Sequence, residues 1–246
     1  MRKNDKTSFI ATAGFILAVL CGLAAIMAGL GTRYEIWDFR TGLEVLRGAA
    51  YGGIAAAFVS LIGLLATVRL IFRRGSVFAI LGLVIGGVLF IVPWQWMQLA
   101  KRLPPIHDIT TDTGNPPKFA AILALRKKAS NPPDYGGPAI AAQQHTAYPD
   151  IKPPMLGVPP GDAFDKALAV ARKMGWNIVD ANKAAGRIEA VSTTFWFGFR
   201  DDIVIRVEKS GLGSRVDIRS VSRVGISDIG TNAERIRKFL AEMRKT

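Results

Sequence analysis

FIATAGFILAVLCGLAAIMAGL, residues 9–30, carries no charged side chain, and the stretches Ala49–Phe72 and Val77–Ala100 repeat that character with Arg69 as their one charge. A helix rises about 1.5 Å per residue, so about 20 apolar residues cross a hydrocarbon core of about 30 Å. The spacing therefore predicts three membrane-spanning helices over about 9–30, 49–72 and 77–100 inside an anchor of residues 1–102. A cleaved leader is a poorer reading of the first stretch, because an apolar leader core of about 7–15 residues is shorter than this run and two more spans follow.

The flanks suggest an orientation. Arg2, Lys3 and Lys6 precede the first span, and Arg69, Arg73 and Arg74 follow the second with no acidic residue nearby. Basic short loops stay in the cytoplasm, which puts the amino end inside and, after three crossings, the carboxyl portion outside. Gly31–Gly48, with Tyr34, Trp37 and Phe39 among alternating charges, reads as a short interfacial segment. Trp94 and Trp96 mark the outer end of the third span, where Pro93 is expected to break or kink the helix. Gly14 and Ala18, and Gly82 and Gly86, repeat small residues four apart. Such faces let helices approach closely, either within the three-helix unit or between copies of the chain. No Asp, Glu or His interrupts a span, and intramembrane ionisable groups are what mark ion and proton paths. A transporter or pump is not indicated.

The formal charge of +13 is spread along the chain, with 11 Lys/Arg against 4 Asp/Glu before Leu103 and 21 against 15 from there on. That distribution suits anionic headgroups; nucleic acid would call for a clustered basic patch and a docking motif. Cys21 is the single cysteine and lies within the first span, which leaves no intrachain disulfide and no Cys/His metal spacing. No metal or cofactor is predicted.

Twelve of the thirteen prolines fall between Leu103 and Pro160. Proline fixes φ and lacks a donor, so residues 103–160 are read as an extended connector, without regular sheet, holding one short helix over Lys118–Ala129. His107 and His145 lie there without carboxylates at ligand spacing.

Residues 161–246 read as a small α+β domain. Asp162 is placed to cap a helix running to Met174, with Phe164, Ala167, Leu168 and Ala171 on one face and Gly175 ending it. Four strands come next, at Trp176–Asp180, Arg187–Thr194, Asp202–Lys209 and Ser214–Ser222. The turn Ser210–Gly213 sets Lys209 opposite Ser214 in an antiparallel pair, which puts Glu208 across from Arg215 and Arg206 across from Asp217. Thr231 and Glu234 have capping-box spacing at the head of a last helix, whose stripe is Ile236, Phe239, Leu240 and Met243. The fold class is α+β: a three-span transmembrane unit, then a four-stranded antiparallel sheet with two helices on one face, in the order α-β-β-β-β-α.

Two segments stand apart from this scaffold: Phe195-Trp196-Phe197-Gly198-Phe199-Arg200-Asp201-Asp202, and the run from Arg219 through Ser220, Ser222, Arg223, Gly225, Ser227, Asp228 and Gly230 to Asn232. With Pro104-Pro105-Ile106-His107-Asp108-Ile109-Thr110-Thr111-Asp112, they resemble the domain of unknown function numbered 1499, over most of Pro104–Lys245. The resemblance implies no activity.

From the residues themselves, Arg219, Arg223, Ser222, Ser227, Asp228 and Asn232 form a candidate pole for an anion or partner. Asp201 and Asp202 are candidates for a structural pair neutralising the arginines, or for an acid pair. No catalytic residue is assigned. The function read from the sequence is a non-enzymatic envelope protein of a bacterial inner membrane, presenting a periplasm-facing binding or scaffold module to a lipid, glycan or protein. The alternative is a membrane-bound hydrolase acting on an envelope ester or glycan through Asp201 and Asp202. Neighbouring strand residues point to opposite faces, so only a bulge at Arg200–Asp202 would converge the two carboxylates.

Overall fold

The computed structural model describes residues 8–69 and 75–245. Arg2, Lys3, Lys6, Arg73 and Arg74, on which the orientation argument leans, lie outside the described residues. The chain divides into two units, one running to Leu99 and including Phe195–Gly198, the other Ala100–Thr194 with Phe199 onward.

In the first unit, α1 (Phe9–Arg33), α2 (Phe39–Arg69) and α3 (Ser76–Arg102) are each long and apolar enough to cross a membrane. Side-chain size sorts them inside out. Ala11, Ala18, Ala28, Ala56 and Ala79 are buried, whereas Leu20, Phe58, Val84 and Val88 are exposed. Lipid offers no hydrophobic drive between helices, so close backbone packing of small residues holds them together while large apolar groups face the acyl chains. A Cβ at Gly14 would come within 2.5 Å of Ser60 Oγ, one at Gly82 would collide with the same hydroxyl, and one at Gly86 with Gly53 O. The small-residue faces are thus filled between helices of one unit rather than left open for a second copy.

Gly31–Gly48 is not a separate segment between two helices. Its first residues finish α1, its last ten form the start of α2, and only 34–38 connect them. Asp38 makes this possible: its carboxylate accepts from the amides of Arg40 and Thr41 and from Thr41 Oγ1, capping α2 and lowering its own pKa. Trp37 folds back to donate to Ala28 O. Pro93 does not end α3, which continues to Arg102. Phe195–Gly198 belongs with this unit: Trp196 Nε1 donates to Ile26 O at 3.3 Å, and a Cβ on Gly29 would strike its indole.

The second unit is built on an antiparallel sheet of β3 (Asn177–Asn182), β4 (Arg187–Thr193), β5 (Arg200–Ser210) and β6 (Gly213–Ser222). The hairpin register has Lys209 opposite Ser214, Glu208 opposite Arg215 and Arg206 opposite Asp217, as the turn residues predict. Two short strands add to the free edge of β6, β1 (Asp108–Thr110) at its carboxyl half and β2 (Met155–Leu156) at its start. Both lie in the proline-rich stretch expected to contain no sheet. An edge strand needs donors on one side only and two or three residues, so it fits between proline pairs.

α5 (Pro160–Lys173) and α6 (Thr231–Arg244) cover one face. α5 begins two residues before the expected cap, with Pro160 at its first position and Asp162 in its first turn. Gly175, at φ +73°, ends it. The Thr231–Glu234 box does not form; Asp228 accepts from the amides of Gly230 and Asn232 instead. Trp176 stacks on Phe239 at 5.7 Å within a core that includes Ile188, Ile203, Ile205, Ile218 and Ile236.

The opposite face is covered too, by the proline-rich stretch. Phe119 and Ile122 pack on Val191, Val204 and Val221, around a 3-10 turn (Ala121–Leu125) that stands where a longer helix was expected. A further helix, α4 (Pro138–Ala147), comes after it. Glu189, fully buried on β4, accepts from the amides of Ala120, Ala121 and Ile122 and lies 2.8 Å from Arg187 Nε. One carboxylate thereby supplies the partners that the turn cannot find within itself.

At the margin of that face Asp112 accepts from the amides of Gly114 and Asn115 and pairs with Arg206 at 3.0 Å and Arg215 at 2.8 Å. Partial burial pushes its pKa up, but the Asn115 amide and the two guanidiniums outweigh that and hold the carboxyl below its ordinary 3.8. A lowered acid contributes stability above its unfolded value, and that contribution is lost as pH falls through the folded one. Asp112→Asn is expected to cost about 1 kcal/mol at neutral pH. In urea unfolding of the full chain in detergent, the gap from wild type should close below the ordinary pKa.

Candidate functional site

Strand parity divides the candidate residues. Asp202, Arg219 and Arg223 lie on the sheet face under the proline-rich strap with Val204 and Val221, while Asp201, Ser220 and Ser222 lie on the helix face with Ile203, Ile205 and Ile218. The two aspartates lie side by side in the chain and on opposite sides of the sheet. They do not converge as an acid pair.

On the strap face Asp202 is completely buried between two arginines. Arg126 approaches Oδ2, while Arg223 donates through Nε and, at 2.7 Å, Nη2. Arg126 also donates to Asn131 O, and Arg223 to Leu125 O. Arg219, 2% exposed, forks onto Asp108 at 2.9 and 2.7 Å and reaches Pro117 O and Pro133 O. Its guanidinium sits between the rings of Phe119 at 5.2 Å and Tyr135 at 5.7 Å. Burial pushes the Asp108 carboxyl up, with Arg219 pulling the other way, and burial followed by the Asp108 charge pushes Tyr135 up to about 12.

On the helix face Arg235 of α6 donates to Asp201 at 2.6 Å, to Ser220 Oγ at 3.0 Å and to Asn232 Oδ1. Asn232 donates to His107 O and Ser222 Oγ, and accepts from Ser220 Oγ. This network joins β5, β6, α6 and the entry segment. Beyond it the loop residues Ser227 and Asp228 serve the chain: Ser227 Oγ accepts from Ile229 N, and Asp228 caps α6 with its pKa raised by burial against the pull of the Asn232 and Gly230 amides.

These residues therefore form two buried polar networks, each guanidinium already matched to a carboxylate. The histidines are apart: His107 Nδ1 meets Ile226 O and His145 Nε2 meets Thr113 Oγ1. Among the described residues no three His, Cys, Asp or Glu side chains converge as metal ligands would.

Sequence reasoning missed Arg235, Arg126 and Glu189 and gave Asp108 no role. A signal existed for Arg235, which falls on the inward stripe of α6 beside Ile236 and Phe239; a charge there needs a buried partner. Arg126 and Glu189 gave none, since their partners lie 76 and about 69 residues away.

The family model described as Protein of unknown function (DUF1499) matches residues 108–243, from β1 to the last turn of α6. The chain belongs to this family. The DUF1499 match begins at Asp108, the partner of Arg219, and takes in the strap, both networks and both covering helices. No curated protein matches the chain.

Proposed function

We propose that this DUF1499 protein is an envelope protein of a bacterial inner membrane, with a cytoplasmic amino end and a three-span anchor. Its α+β domain serves on the extracytoplasmic side as a non-catalytic module that binds a lipid, glycan or protein partner or scaffolds one. One observation carries this reading: Asp201 and Asp202 leave β5 on opposite faces and each is engaged by its own arginines. Such charges lock a framework; they do not supply the acid and base of a hydrolase acting through this pair. Arg223, with Ser227 and the Gly225–Ile226 turn, forms the part of the pole that reaches solvent, and that rim is where a partner would be met.

Alkaline phosphatase fused after Leu103 is expected to be active in a bacterial host; an inactive fusion together with a fluorescent cytoplasmic reporter reverses the orientation. Arg223→Lys keeps a cation on Asp202 but removes the forked donor, and it should lower retention of an envelope component by the full chain. Turnover of an envelope ester, lost in Asp201→Asn, would replace this reading with the hydrolase.

A further inference from the structure

Phe195-Trp196-Phe197-Gly198 belongs to the first unit, seated against the last turns of α1. Trp196 Nε1 donates to Ile26 O at 3.3 Å, and Arg33 Nη1 donates to Phe195 O while its guanidinium stands 5.8 Å from the centre of the Phe195 ring. Glycines make the seat. A Cβ at Gly29 would fall 2.1 Å from the Trp196 indole, and one at Gly198, where φ is +68°, would fall 2.9 Å from Arg33 Cα. The leading rings nevertheless turn outward, Phe195 being 87% exposed and Trp196 40%. Single exposed apolar residues are ordinary. Two neighbouring aromatics fixed against a membrane span call for apolar surroundings.

The depth of the seat follows from α1 and α2. At about 1.5 Å per residue Gly29 stands about 30 Å along α1 from Phe9, and Arg33 about 36 Å. A hydrocarbon core of about 30 Å, with headgroups adding roughly 5–8 Å on each side, therefore ends near Gly29 and leaves Arg33 among headgroups. α2 marks the same boundary independently. Gly42 faces Ala28 O and Thr32 Oγ1, and Gly52 faces Cys21 Sγ. Glu44 and Arg47, both exposed, lie between those contacts, level with residues 26–29 of α1. Charged side chains on a span stay at the headgroup level or reach back to it.

We propose that Phe195 and Trp196 form an interfacial anchor in the bilayer that α1 crosses, with the Trp196 indole at the edge of the hydrocarbon core and the Phe195 ring among the headgroups just outside it. An indole suits that depth, offering an apolar body to the acyl chains and an N–H that meets the Ile26 carbonyl. Tyr34, 70% exposed just past α1, extends the same aromatic belt. The partner is the glycerol and upper acyl region of the lipid whatever its headgroup charge, because the Arg33 guanidinium beside the segment is already held by the Phe195 carbonyl and ring. The inference rests on the three-span anchor and is indifferent to the side of the membrane on which α1 ends.

The test uses the full chain with Cys21→Ala and one new cysteine, Phe195→Cys or, in mid-span and 57% exposed, Leu20→Cys, carrying a nitroxide in vesicles of phosphatidylcholine alone or with phosphatidylglycerol. Oxygen gathers in the bilayer and a nickel chelate stays in water, so the ratio of their collision rates reports depth. The ratio should be highest at Leu20. At position 195 it should be several-fold above that of a free aqueous nitroxide, below that at Leu20, and the same in both lipids. A label at 195 as open to nickel as the free nitroxide, with Leu20 shielded, overturns this inference and leaves the three-span anchor standing; nickel access at Leu20 brings down both. Shielding from nickel and oxygen together at 195 reports a protein contact, and depth that appears only with phosphatidylglycerol reports charge attraction. Either result overturns the proposal.

Discussion

Asp202→Ala is expected to remove about 3–5 kcal/mol of stability from the α+β unit, the largest effect of any single substitution in the polar networks. The carboxylate is fully buried and is shared by Arg126 and Arg223. Deleting it leaves two guanidiniums facing each other in a low-dielectric layer between sheet and strap. Arg126, the more deeply buried of the two, cannot reach water without pulling the strap away. Arg223→Ala should cost distinctly less, because Asp202 keeps Arg126 and the vacated side opens to solvent. Unfolding of the full chain in detergent, followed by fluorescence of Trp176 in the helix-side core, checks both. A loss in Asp202→Ala no larger than in Arg223→Ala would show that the shared carboxylate does not hold the strap.

Glu189→Ala is the second large effect, at about 3 kcal/mol. Three backbone amides of the 3-10 turn end on this one buried carboxylate, and the segment has no other means of pairing them. The strap is expected to detach locally instead of the whole unit unfolding, since the core beneath α5 and α6 contains neither Phe119 nor Ile122. Hydrogen exchange should accelerate across 118–126 while β5 and β6 remain protected, and trypsin should cut sooner at Lys127 and Lys128. Uniformly raised exchange over the sheet would mean that strap and sheet form a single cooperative unit.

How far the fold was legible depends on the range of the forces involved. The spans, the antiparallel hairpin with its register and the stripe of α6 all rest on patterns within about twenty residues of chain. The strap is different. Proline signals only that a segment is not a long helix or a central strand, and says nothing about which surface the segment lies on. Phe119 and Ile122 are too few to show a period, so their burial against Val191, Val204 and Val221 left no trace in the local sequence.

The candidate site shows the same limit at finer scale. That Asp201 and Asp202 point apart was legible from strand alternation. The same alternation also separates Arg219 and Arg223 from Ser220 and Ser222, so the string is one motif in sequence and two networks in space. Which arginine meets which carboxylate was not legible. Arg219 takes Asp108, Arg126 and Arg223 take Asp202, and Arg235 takes Asp201. Opposite charges attract without regard to chain position, and only the fold sets the distance between them.

The sequence by itself determined that three helices are built for lipid and that the last two strands form an antiparallel hairpin with Lys209 opposite Ser214, because solvent and backbone periodicity act residue by residue. Tertiary structure alone decided that the proline-rich stretch closes the second face of that sheet and that the polar string becomes two locked networks. Both depend on groups as many as 111 residues apart being brought together, and no local preference encodes that.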